Sequence, residues 1–197
     1  MFLEKLKKYI KYKKMWHKIE KIKKISKYET KDGIQSRNYL TKDSYKTYLE
    51  HQKSKFAFYS KDLADQFDDR VKDFKQHFQK VNIGGGKRNI ICLGSRTGAE
   101  VKALRELGHM AIGIDIAYPE KSPYTFYGDF HKIEFSDNTF DCVYSNCLDH
   151  VYDYEKMISE IKRVLNKDGI IIFDVQKGSK EEENTFPNKD MFGYFET

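Results

Sequence analysis

From Arg88 onward the chain alternates short apolar runs with amphipathic stretches: NIICLG, AEVKALRELG, MAIGIDI, FDCVYSN, YEKMISEIKRVL and GIIIFDV. That alternation constrains the fold more than any other feature. Strand, helix, strand repeated in order builds a mostly parallel sheet, because each crossover helix returns the chain to the same end of the sheet. The expected class is α/β, a Rossmann-like doubly wound, mostly parallel sheet with helices on both faces, preceded by an α-helical N-terminal extension. Ligands on such sheets bind beyond the carboxyl ends of the strands. A site is therefore expected in the loops that follow NIICL, IGIDI and DCVYS.

The N-terminal part has a different texture. Lysines crowd Lys5 to Lys27, and Leu3, Leu6, Ile10, Trp16, Ile19, Ile22 and Ile25 recur at three or four residues, which stacks them on one side of a basic amphipathic helix. Its lysine face suits water, an anionic membrane surface or nucleic-acid phosphates. Around Gly33, from Tyr28 to Thr41, periodicity is lost and a linker is expected. Apolar positions at helical spacing resume from Tyr45 to Val81. With 197 residues the chain suits one α/β domain and an appendage, divided as an extension and linker over 1–40 and the α/β domain over 41–197.

Hydrophobic residues make up 39% and aromatics 15% of the chain, more than a disordered chain carries, so most of it should fold. Cys92, Cys142 and Cys147 all lie inside apolar runs and read as buried, reduced thiols rather than a disulfide framework or zinc site. The scattered histidines give no metal-ligand spacing, so no metal is assigned. Neither a secretory h-region nor a bilayer-spanning run is present, and a cytoplasmic location, peripheral to the membrane if the basic helix docks there, is the expectation.

After the strand Asn89 to Leu93 comes Gly94-Ser95-Arg96-Thr97-Gly98, with a helix opening at Ala99. Glycines let backbone approach a ligand, and the helix N-terminus offers free N–H groups to an anion. Thr97 and Glu100 also fit a capping box. The next strand, Met110 to Ile116, ends in Asp115, placed to accept the hydroxyls of an adenosine ribose. Both S-adenosylmethionine and NAD carry that ribose. Arg96, however, stands where a dinucleotide loop needs its second glycine.

Taken in order, ICLGSRTG, IGIDI, FYGDFHKIEFSDNTFDCVYSNCLDHV and RVLNKDGIIIFDV resemble the successive motifs of class I S-adenosylmethionine-dependent methyltransferases, over a little under half the chain. The resemblance implies S-adenosyl-L-methionine as cofactor. It places the methionine end at Gly94, Ser95, Arg96, Thr97 and Gly98, the ribose at Asp115 with Ile116 beside it, the adenine at Asp129 and Phe130, and Ser145 and Asn146 near the sulfonium. Two departures stand out: the family usually has an acidic residue at the position of Cys92 and a glycine at that of Arg96. Glu100 could restore the missing charge, and an arginine can pair bidentately with a carboxylate.

Methyl transfer is an in-line displacement, so the protein chiefly orients the nucleophile and, where needed, removes a proton. His150 and Asp149, past the fourth motif, are the candidate bases, whereas His131 reads as a surface or cofactor-rim residue. The acceptor reads as a small molecule or a lipid- or glycan-linked group. Two alternatives are a nucleic-acid methyltransferase, although SNCLDH is not an N/D-P-P-Y/F/W motif, and a cofactor-binding partner subunit without catalysis. Beyond GIIIFDV the family adds two further strands; here Met191 to Phe195 could supply one edge strand, or a homodimer could cover the open edge.

Overall fold

In the computed structural model, residues 26–31, 34–39, 42–81, 83, 85–148 and 151–174 are described. The basic amphipathic segment read over residues 3–25, the candidate bases Asp149 and His150, and the C-terminal stretch containing Met191 to Phe195 lie outside them. Strand β1 (Ser26–Lys31) pairs antiparallel with β2 (Ile34–Tyr39), Lys31 opposite Ile34. The expected linker is thus a hairpin.

The helical region from Tyr45 is two helices, α1 (Lys42–Asp65) and α2 (Phe67–Lys80), interrupted at Gln66. Asp68 and Asp69 in the first turn of α2 complement the positive end of its dipole. Then follow β3 (Asn89–Leu93), α3 (Ala99–Glu106), β4 (Met110–Asp115), β5 (Thr125–Tyr127), β6 (Phe140–Ser145), α4 (Tyr154–Val164) and β7 (Leu165–Phe173). Strands β3 to β7 form one parallel sheet in the order β5-β4-β3-β6-β7. The order reverses between β3 and β6, and that crevice is where a doubly wound sheet binds ligands.

Period-two alternation divides the strands between two cores. Ile90, Cys92, Ala111, Cys142 and Tyr144 face α2 and α3, packing with Val71, Phe74, Phe78, Val101 and Leu104. Ile91, Leu93, Ile114 and Val143 face α4, where Met157, Ile161 and Val164 are fully buried. All three cysteines are free, buried thiols. Helix α2 lies over a face of the sheet, where Phe74 and Phe78 meet Tyr144 edge-on.

The β4–β5 connection runs through residues 116–124 without a helix. It is held from below by Arg105, which donates to the carbonyls of Ala111 and Pro123 and stacks on Tyr124. The sheet face beside it is left as a shallow groove lined by Ile112, Ile114, Phe126 and Phe135. Among the described residues no helix is long and apolar enough to cross a membrane.

Helix α4 begins with a side-chain cap: Asp153 accepts from the Lys156 N–H at 3.0 Å. Asp153→Ala should cost about 1 kcal/mol in urea unfolding, the usual value of an N-cap. Asp153→Ser should recover most of it.

Candidate functional site at the carboxyl rim of β3, β4 and β6

Strand β3 stops because the next residue turns left-handed: Gly94 has φ +74°, and its N–H donates to the Ile114 carbonyl on β4 at 2.8 Å. A Cβ at this position would stand 2.3 Å from the Cys147 sulfur. Through that contact the loop after β3 meets the loop after β6 at the point where the strand order reverses. Arg96 (φ +44°) and Gly98 (φ +77°) complete the turn. The expected capping box does not form: the N-cap of α3 is Gly98, and no side chain caps it. A left-handed glycine places the helix start one residue beyond Thr97, out of register with Glu100.

Asp115 is the centre of the site. Its carboxylate accepts from the Arg96 N–H at 2.9 Å and from the Ala117 N–H at 2.7 Å, tying the glycine loop to the end of β4. Burial raises its pKa from the ordinary carboxylate value, against the opposing pull of Arg96 and of the backbone amides of Ala117, Arg96 and Ile116. Two carboxylate oxygens carry about four lone-pair sites, so two backbone bonds leave capacity for hydroxyl donors. Ile116 is half-buried beside it.

The other expected residues divide by accessibility. Arg96, Thr97 and Asn146 are half-buried at the rim. Ser95 and Ser145 are turned inward: the Ser95 hydroxyl pairs with Thr125 at 2.9 Å, and that of Ser145 donates to the Leu93 carbonyl at 3.2 Å. Phe130 packs in the core on the α4 side.

Asp129 accepts from Tyr45 of α1 at 2.8 Å, and from the backbone N–H and ring of His131 at 2.9 and 2.7 Å. Burial works to raise the Asp129 carboxyl, but the bonds from His131 and Tyr45 outweigh it and hold it below its ordinary value. His131 is not a surface residue, being 5% exposed. Its Nε2 accepts from the Asp153 N–H at 3.1 Å, which leaves Nδ1 as the donor to Asp129. Tyr45 and Tyr152 wall its ring edge-on.

The start of α3 carries one buried carboxyl, and α2 adds two ionisable side chains, Arg70 and His77. Glu100, 3% exposed, stands in the first turn. Burial pushes its carboxyl up to about 7; its own backbone N–H, Arg70 and Arg96 pull the other way, while Asp115 adds to the rise. Arg70 comes from α2 and rests over the Phe74 ring. At the other end of α2, His77 Nε2 lies 2.8 Å from Asp174, which also accepts from the Tyr144 hydroxyl at 2.6 Å. Neither Arg70 nor His77 was expected at the site. Both fall on the apolar stripe of α2, with Phe67, Val71, Phe74 and Phe78, and a charged residue within such a stripe is the signal that marks them.

A family model described as a methyltransferase domain matches residues 91–173. The chain is 32% identical over 111 residues to phosphoethanolamine N-methyltransferase 2 of Caenorhabditis elegans, a match covering 54% of this chain and 25% of that protein. It thus spans about a quarter of the length of that curated relative. Among solved structures, a putative S-adenosylmethionine-dependent methyltransferase from Methanococcus maripaludis aligns with TM-score 0.49 and 20% identity, over 61% of this chain and 62% of that one. A possible histamine N-methyltransferase from Thermotoga maritima aligns with TM-score 0.45 and 18% identity, over 59% and 58%.

Proposed function

We propose that this chain, whose residues 91–173 match a methyltransferase-domain family, is a class I S-adenosylmethionine-dependent methyltransferase that binds S-adenosylmethionine at the rim of β3 and β4 and passes its methyl group to a small-molecule acceptor. The observation that carries the reading is the join between the glycine loop and Asp115, whose buried carboxylate holds the loop by the Arg96 and Ala117 amides and keeps lone pairs for a ribose. The donor set also fits a zwitterionic amino-acid end, since Arg96 offers a guanidinium and Glu100 a carboxyl beside the same loop. The name of the nematode relative, a phosphoethanolamine methyltransferase, supports a small acceptor.

When bound, the cofactor supplies a methyl group on a positively charged sulfur, open to in-line displacement. The chain's own residues do the rest. Asp115 orients the nucleoside end by accepting its hydroxyls. The Gly94–Gly98 backbone brings the loop close, and Asn146 stands half-buried at the end of β6. His150, with Asp149 as the alternative, takes the proton of an acceptor hydroxyl or amine in this reading.

Titration calorimetry of the full chain with S-adenosylmethionine and S-adenosylhomocysteine tests the proposal. Both should bind, and Asp115→Ala should weaken S-adenosylhomocysteine by about 10- to 100-fold, the range for hydrogen bonds to a charged group. Absence of binding by the wild-type chain overturns the proposal. Unchanged affinity in Asp115→Ala overturns the ribose assignment.

A further inference from the structure

We propose that the groove on the α4 side of β4 and β5 is the seat of the chain's own N-terminal segment, the apolar stripe of residues 3–25 lying in it with lysines turned to its acidic rim. This docking is independent of the cofactor reading above.

A parallel sheet needs cover on both faces, and on this side the cover is incomplete. Residues 128–139 cross from β5 to β6 without a helix. Their Phe130, Ile133 and Phe135 pack toward α4. Strand alternation turns Met110, Ile112, Ile114 and Phe126 to one face. Ile114 is buried, but Met110 is 58% and Phe126 50% exposed. What stays open is a groove of about 270 Å³ with Ile112, Phe126, Glu134 and Phe135 in its walls.

The N-terminal segment joins the fold near this groove. Tyr45 of α1 donates to Asp129, and Asp129 directly follows Gly128, itself a groove residue. Ser26, the first residue of β1, pairs with Tyr39, and the stretch from Tyr39 to Tyr45 spans at most about 20 Å. Wound as the amphipathic helix that their spacing predicts, residues 3–25 are about 33 Å long, enough to lie along the groove. The C-terminal stretch leaves from β7, at the opposite edge of the sheet.

Charge favours the same occupant. Residues 1–25 hold ten lysines against Glu4 and Glu20. At the groove, Glu134, Asp137 and Glu160 stand close in the fold, but Arg163 takes Asp137 and Glu160. Among the described residues Glu134 pairs with no cation, which leaves it for a lysine flanking the stripe. An anionic lipid surface would meet these carboxylates with like charge. A second copy of the chain, joined groove to groove about a twofold axis, would set Glu134 near its own image.

Trp16 is the chain's single tryptophan and stands in the apolar stripe, so its fluorescence reports docking in the full chain without a label. In dilute wild-type protein its emission should be blue-shifted, and acrylamide should quench it more slowly than N-acetyltryptophanamide. Phe126→Lys should move the docked-to-free ratio about tenfold toward free, roughly the worth of half a phenylalanine's burial. Glu134→Lys should move it in the same direction. Asp168→Lys, an equal change of charge on an exposed residue of β7, should leave Trp16 as in the wild type. Phe126 and Glu134 are both exposed, so far-UV circular dichroism should not change. Were Phe126→Lys to misfold, Glu134→Lys against Asp168→Lys decides.

Trp16 quenched in the wild type as fast as the free amide overturns the proposal. So does protection that the groove variants leave intact, or that Asp168→Lys removes equally. Protection that fades on dilution gives the groove to a second copy, and protection that arises only with phosphatidylserine vesicles gives the stripe to a lipid surface; either result overturns the proposal as well.

Discussion

Gly98→Ala is expected to destabilise the domain by roughly 2–5 kcal/mol, a large part of the 5–15 kcal/mol that holds an ordinary domain together. Two costs combine at this position. The backbone sits at φ +77°, where any L side chain costs about 1–2 kcal/mol. In addition, the new Cβ would stand 2.4 Å from the Tyr124 Cβ and 2.8 Å from the Thr125 hydroxyl oxygen, both attached close to backbone that Arg105 and strand β5 hold in place. Overpacking of that kind costs about 1–3 kcal/mol more.

Gly86 separates the two terms. It has nearly the same angle, φ +79°, but nothing within 4 Å of its would-be Cβ. Gly86→Ala should therefore show the strain alone, about 1–2 kcal/mol. Urea titration of the two variants measures the difference. A loss below about 1 kcal/mol for Gly98→Ala would show that the β4–β5 connection yields, and that the loop does not depend on a bare Cα there.

What the sequence made legible follows from how local each signal is. The strands of the parallel sheet were readable because runs such as NIICL and MAIGID carry their own pattern, and β3 and β4 begin and end close to where those runs do. The glycine loop and Asp115 were readable for the same reason. The fold class needed only their order.

The hairpin was missed because SKYETK and IQSRNY show no apolar alternation. The cue was nevertheless there. Between the strands stand Asp32 and Gly33, and a two-residue Asp-Gly connection is a strong short-range hairpin signal. His131 was misplaced for a different reason: its burial depends on Tyr45, more than eighty residues earlier in the chain, and on Tyr152, and no local pattern reports contacts of that range. The inward turn of Ser95 and Ser145 is equally invisible, since strand period gives a face but not a hydroxyl's partner.

The second large effect is a pH dependence of stability carried by Glu100. Its ordinary pKa of 4.5 applies in the unfolded chain and rises to about 7 in the folded one because burial disfavours the charge. A raised pKa means that the folded state holds the proton more tightly, so the contribution to stability is fully present below about pH 4.5 and is lost as pH climbs to about 7. A shift of this size corresponds to about 3 kcal/mol. Asp129 and Asp141 shift the other way, below their ordinary value of 3.8, and their contribution is lost only as pH falls below about 4. Between pH 5 and 8 Glu100 carries the large shift; His109, whose pKa burial and Arg88 lower from 6.5, works in the opposite sense there.

Urea unfolding should show the wild-type chain losing stability across that window, while Glu100→Gln stays nearly flat. The two should coincide near pH 5 and separate by about 3 kcal/mol by pH 8, the variant being the more stable. Parallel curves would mean that the carboxyl ionises without cost, and hence that water or Arg70 solvates it better than its burial suggests.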